Sequence, residues 1–292
     1  MRSNNPIFNR AEGFNKAPSV NMYGNTTYAG NGAGYTGFGT PQAGGTTFAP
    51  TAPTPVMTMD SVVRASAITF GTVLVTAILT WVLTPALTRV VDDTTGKMVV
   101  VGDYAPLFAA LTVGSGLAFV MSLVNSFKRT ISPALVIVFA AAEGVAIGAI
   151  SKFVDVQFAH GIVIQAVLGT FAAFAGTLAA YKYFNIKVGN KFRTGVIAAM
   201  FGMVGLAMID LVMGIFGGST HLFGFSGIGM ITAVLGIVIG VFMLILDYDQ
   251  VENGIANGLP ESESWRAAFG LTVSLVWIYT NLLRLLSILN QR

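Results

Sequence analysis

Residues 240–254 read GVFMLILDYDQVENG, an apolar helical run that ends by placing two carboxylates, Asp247 and Asp249, at its terminus. A hydrophobic segment of this length is a candidate membrane span. Acids at the end of such a span are costly unless they are solvated, paired or used. Two residues on a helix subtend about 200°, so Asp247 and Asp249 cannot share a face. Asp247, the deeper of the two and beside Leu244 and Ile245, reads as the functional candidate. Asp249 reads first as a solvated helix terminus and second as an ion-binding or gating residue.

The rest of the chain sets that stretch in a bilayer. Its 292 residues are 54% hydrophobic and 10% charged, with a mean hydropathy of +0.72. Soluble domains carry about 25% charged residues, so the composition is that of a polytopic membrane protein. Cysteine is absent, which removes disulfides, thiolate metal sites and cysteine nucleophiles. The net charge of +3 comes from loop residues between apolar runs and reads as orientation rather than nucleic-acid binding, because no basic patch with interleaved aromatics accompanies it.

Residues 1–60 are rich in Gly, Asn, Thr and Pro and lack hydrophobic periodicity, which predicts a disordered cytoplasmic tail. No apolar core of signal-peptide length follows its early basic residues. Its first residues, NNPIFNR at 4–10, read as a docking motif on a tether or as plain tail. Residues 61–292 form the transmembrane domain.

Seven apolar stretches follow the tail, at about 65–87, 105–127, 133–153, 161–181, 194–216, 225–248 and 267–289. At about 1.5 Å per residue each can cross a hydrocarbon core of about 30 Å, and barrel strands would be shorter and alternating. The fold class is therefore all-α, a bundle of seven transmembrane helices. With the N-terminus inside, the inner segments hold Arg2, Arg10, Lys16, Arg64, Lys128, Arg129, Lys182, Lys187, Lys191, Arg193 and Arg266. The outer set is Arg89, Lys97, Lys152, Arg284 and Arg292. An excess of Lys and Arg marks the cytoplasmic side, so the chain is expected in the cell membrane, for a bacterium the inner membrane, with its C-terminus on the far side. A re-entrant last segment would return the C-terminus inside.

Glycines four residues apart at 144/148, 214/218 and 236/240 predict close helix packing. Glu143 falls near mid-depth of the third span, Asp210 in the far half of the fifth, and Arg284 at similar depth in the seventh. An Asp210–Arg284 ion pair would lower the cost of both charges. Arg64 and Lys128 are candidate counter-ions for the acids at the cytoplasmic helix ends. His160 and His221 are isolated loop residues, and no HExxH, P-loop or GxSxG motif is present, so no enzyme, metal site or cofactor is expected.

The Glu143-Gly144 pair in the third span, LDYDQV at 246–251 and YTNLLRLLSIL at 279–289 together resemble the Bax inhibitor-1 family, also called the transmembrane Bax-inhibitor-motif family. The resemblance covers residues 64–289. It implies seven helices with the last at the centre, and a pH-sensitive calcium leak gated by two hydrogen-bonded aspartates, one in each of the last two helices. Bacterial members are linked to regulation of membrane AAA proteases. Carried onto this chain, the resemblance assigns the sixth-span aspartate to Asp247 and puts Ile278 in the place of the second, three residues before Asn281-Leu282. Two acids sharing one proton titrate as a pair; a lone Asp247 does not, unless Asp249 or Glu143 substitutes. Two readings follow. One is a cation leak for calcium or protons with Asp247 as gate or ion contact. The other is a regulatory membrane protein that engages a partner such as a membrane protease through its tail and loops.

Overall fold

The computed structural model describes residues 55–91, 93, 98–158, 161–218, 220 and 222–291. The tail up to residue 54, His160 and His221 lie outside the described residues.

Seven helices, each long and apolar enough to cross a membrane, account for most of the described residues. They are α1 (Met59–Leu83), α2 (Ala105–Phe127), α3 (Pro133–Gln157), α4 (Ile162–Tyr183), α5 (Asn190–Ile215), α6 (Gly227–Ala256) and α7 (Glu263–Leu289). A hairpin of β1 (Thr88–Val91) and β2 (Met98–Val101) joins α1 to α2, with Thr88 opposite Val101 and Val91 opposite Met98. The β-branched runs on either side of residues 92–97 are a strand signal in the sequence.

The helix ends differ from the hydropathy limits in an informative way. α6 continues past Asp247 and Asp249 to Ala256, so the two acids lie inside a helix and not at its terminus. Hydropathy falls at the first charges, but Val251 and Gly254 remain buried and keep one face of the helix packed. α1 begins earlier than expected, at Met59, where Thr58 and Ser61 form a reciprocal capping box.

The last helix is the hub, as the resemblance implies. α7 packs against α6, α1, α4 and α3, and it carries buried residues from Ser264 to Ile288. α2 packs on α3, and α5 packs on α6, at the periphery. Where helices come closest, glycine is required. A Cβ on Gly144 would overlap the Thr76 hydroxyl and the Val73 backbone, and one on Gly148 would lie 2.9 Å from the Ala77 Cα. Gly236 and Gly240 of α6 face Asn281 and Ile278 of α7 in the same manner. The expected packing role of Gly214 and Gly218 is not met. A Cβ on Gly214 would touch nothing, and Gly218 approaches only Met213 of its own helix end. α5 is peripheral, so its small residues face open surface rather than a neighbour.

Two cations tie the far ends of the helices together. Lys152 of α3, counted from sequence among outer loop charges, is buried and donates to the carbonyls of Trp81 and Thr84 and to the Thr84 hydroxyl, at 2.8, 2.6 and 2.9 Å. It thereby closes the C-terminus of α1, where backbone carbonyls lack helical partners. Arg89 of β1 performs the same service for α3, donating to the carbonyls of Asp155 and Val156.

At the opposite end, called here the near face, residues just before α1 strap onto the α6–α7 turn. Val56 forms an antiparallel bridge with Pro260, Met57 donates to the Leu259 carbonyl at 2.7 Å, and Glu261 donates to the Pro55 carbonyl at 2.9 Å. Met57 is buried against Gly254 and joins the core with Val62, Leu244, Tyr248 and Leu271. The strap moves the start of the membrane domain a few residues ahead of the expected boundary at 60/61.

Candidate functional site

Asp247 sits in the seam between α6 and α7. Its Oδ2 accepts a hydrogen bond from the Ser274 hydroxyl at 2.5 Å. Its Oδ1 stands 3.2 Å from where a Cβ on Gly270 would be, so the α7 backbone passes directly beside the carboxylate. Among the described residues Asp247 forms no ion pair. The buried core residues Leu244 and Tyr248 are near it along α6, and Leu271 follows Gly270 on α7; the Tyr248 hydroxyl donates to the Phe174 carbonyl at 3.0 Å.

The residue facing Asp247 from the last helix is thus Ser274. Ile278 packs instead on Gly240, where a Cβ would come 2.5 Å from its Cγ1. Gly240 and Asp247 are seven residues apart, or about 10.5 Å along a helix, so a carboxylate at 278 would not meet Asp247. Ile278 is therefore not the counterpart of Asp247. The antiparallel register fixed at the tight α6–α7 turn decides this, and no spacing within either helix reveals it.

Asp249 points to a different side, as its 200° offset requires. It pairs with Arg193 of α5 at 2.8 Å. The expected counter-ions are elsewhere: Arg64 is exposed on α1, and Lys128 is exposed at the end of α2, where its carbonyl accepts from Arg266. Arg193 stands in the first turn of α5, directly after the α4–α5 loop. The α4–α5 loop, rich in Lys and Arg, was the signal available.

Near-face to Asp247 lies a polar cavity of about 650 Å³ between the α4–α5 loop and the α6–α7 turn. Asp249, Gln250, Arg193, Glu263 and Arg266 line it, together with Met57 of the strap. Gln250 is three residues from Asp247, and Ala267, also in the wall, is three from Gly270. The cavity therefore ends about one helical turn from the buried carboxylate.

The remaining acids are not gathered here. Glu143 is half-buried on α3, four residues from Phe139, whose ring meets Phe269 of α7 at 4.9 Å. α3 and α6 both pack on α7 but share no packed seam, so Glu143 does not substitute for a partner to Asp247. The expected Asp210–Arg284 pair is not formed. Asp210 accepts from the Thr220 amide at 3.1 Å and from its hydroxyl. Arg284 donates to Asn281 Oδ1 at 3.1 Å and Thr232 Oγ1 at 3.3 Å, and stacks over Phe223 at 5.1 Å. The peripheral place of α5 carries Asp210 outward while Arg284 turns toward α6. Among the described residues no group of three or more His, Asp or Glu could hold a metal ion.

Comparison with known families sets this arrangement in context. The Bax inhibitor 1 like family matches residues 5–291. The chain belongs to this family. The match runs well beyond the expected 64–289 and takes in most of the tail, including Asn5-Pro6-Ile7-Phe8. No curated protein matches the chain. Within the Bax inhibitor 1 like family, this chain presents a seven-helix membrane protein whose central helix meets the sixth at an Asp–Ser contact rather than at a pair of acids.

Proposed function

We propose that the protein is a slow cation leak of the cell membrane, sensitive to pH, with calcium or protons as the permeating species and Asp247 as its gate. The Asp247–Ser274 hydrogen bond carries this reading. A carboxylate enclosed between two helices is expensive in a membrane unless it serves an ion path or a proton relay. Among the described residues Asp247 has one hydroxyl partner and no cationic one, and a polar cavity leads to within about a turn of it. In the closed state the Ser274 hydroxyl occupies one lone pair of the carboxylate. Protonation or cation binding at Asp247 competes for that oxygen and loosens the α6–α7 seam. The N-terminal tail and near face belong on the cytoplasmic side, as the excess of basic residues there requires. This reading involves no covalent reaction.

Purified protein in liposomes tests the reading. Cation flux above that of empty vesicles, varying between acid and neutral pH, is expected, and Asp247→Asn should return it to the empty-vesicle level. Absence of flux at every pH sinks the proposal.

One observation favours a second reading, a regulatory protein that engages a membrane protease through its tail. The strap, residues 55–57, runs beside the polar cavity, with Met57 in its wall. A bound partner would then act at the mouth of that cavity. Comparing proteins captured by the full chain and by a chain lacking residues 1–54 decides it; identical partners count against it.

A further inference from the structure

α1 and α4 both rest on α7, but no packed seam joins them to each other. Between them a cleft runs the length of the membrane domain. Its far half is apolar and ends at Trp81, with Val167 and Phe171 on the α4 side. Its near half ends at Lys182, Asn185 and Lys187. Phe70 lines both halves and meets Phe174 edge-on at 6.5 Å, so the two halves adjoin at an aromatic pair.

Two features identify the occupant. First, the rim is continuous with the surface that faces lipid: Leu74, Ile78 and Phe171 line the cleft and are also exposed on the outside of the helices. Second, charge is confined to the near end. Lys182 and Lys187 are exposed there and form no ion pair among the described residues, whereas the one acid in the wall, Glu252, already accepts from the Tyr181 hydroxyl at 2.7 Å.

We propose that the cleft binds one anionic phospholipid from the near-face leaflet. An acyl chain lies past Phe70 toward Trp81, and the phosphate rests between Lys182 and Lys187. The apolar half supplies affinity by excluding water and filling a gap that helix packing leaves. The lysines supply selectivity, because a basic residue at the membrane surface attracts anionic lipid. Tyr181, Lys187 and Glu252 also line the polar cavity below Asp247. The headgroup would therefore form part of that cavity's wall. Lipid binding does not depend on whether the protein conducts.

Native mass spectrometry of the full chain in mild detergent, titrated with palmitoyl-oleoyl phosphatidylglycerol or the matching phosphatidylethanolamine, tests this. One phosphatidylglycerol per chain should be retained in preference to phosphatidylethanolamine, and inorganic phosphate should not displace it. Lys182→Ala and Lys187→Ala should each weaken retention about fivefold, the ratio expected for one lysine at a membrane surface. Lys128→Ala, on the same face outside the cleft, should have no effect. Ala67→Trp, which fills the near half from its rim, should abolish retention at unchanged melting temperature; if that variant fails to fold, the lysine series alone decides. Equal retention of the two lipids overturns the proposal, as does a Lys128→Ala effect equal to that of Lys182→Ala. Full retention by folded Ala67→Trp overturns it as well.

Discussion

The Asp247 carboxylate and the Ser274 hydroxyl meet at 2.5 Å across the seam of α6 and α7, and Gly270 brings the α7 backbone against the other oxygen. Ser274 is therefore the position from which the last helix can alter Asp247. Replacing Ser274 with Asp should create a carboxylate pair that titrates as a unit and make liposome flux more steeply pH-dependent. Ser274→Ala should leave Asp247 without its partner and shift the pH response without abolishing flux. A flat pH profile for Ser274→Asp would show that the seam is not the gate.

Ile278→Asp provides the contrast. Ile278 is fully buried against Gly240, so the new acid meets no partner. An aspartate at the centre of a membrane helix costs about 3 kcal/mol. Thermal unfolding in detergent should show that loss, with no gain in pH sensitivity.

Asp210 and Arg284 hold separate partners, so their removal should be independent. The double variant Asp210→Ala/Arg284→Ala should lose the sum of the single losses within about 0.5 kcal/mol. A double variant more stable than Asp210→Ala alone would indicate an ion pair.

The Arg193–Asp249 pair is a different case, because the Arg193 side chain is 42% exposed. Exposed ion pairs contribute about 0.2–1 kcal/mol. A double-mutant cycle with Arg193→Ala and Asp249→Ala should return a coupling in that range, smaller at high salt. A coupling of several kcal/mol would mean the pair is enclosed when the protein sits in a membrane.

Glycine substitutions report the packing directly. Gly148→Ala forces α1 and α3 apart and should cost about 1–3 kcal/mol, the usual penalty of overpacking. Gly214→Ala, with open space around it, should be neutral or slightly stabilising, since alanine is the better helix former. Melting temperatures of the two variants side by side check this.

The seven spans could be read from sequence because a bilayer demands long apolar runs, and those runs are hard to mistake. Helix ends were less legible. α6 keeps a packed face through Val251 and Gly254 after its hydropathy has fallen, so composition alone stops it too early. Asp247 stood out as an acid deep in an apolar helix, a purely local signal. Its neighbour did not, because Ser274 is an unremarkable residue whose importance depends on the register of two antiparallel helices. An offset counted along one helix from Asn281 led to Ile278, whereas the structure seats Asn281 on Gly236 and Ile278 on Gly240. Lys152 was invisible as a cap for a related reason: what it caps, the end of α1, is 68 residues away in sequence.

The strap ahead of α1 has a consequence for biogenesis. Ser61 and Ser264, hydroxyls 2.6 Å apart beside the strap, are separated by 203 residues of chain. α1 is made long before the α6–α7 turn, so the strap at its near end cannot dock until that turn has been made. Throughout synthesis of the first six helices that end stays undocked, and the bundle is stitched shut only when its last helix arrives. A chain terminated before residue 260 would be inserted but open, with Met57 and the core beneath it exposed to quality control.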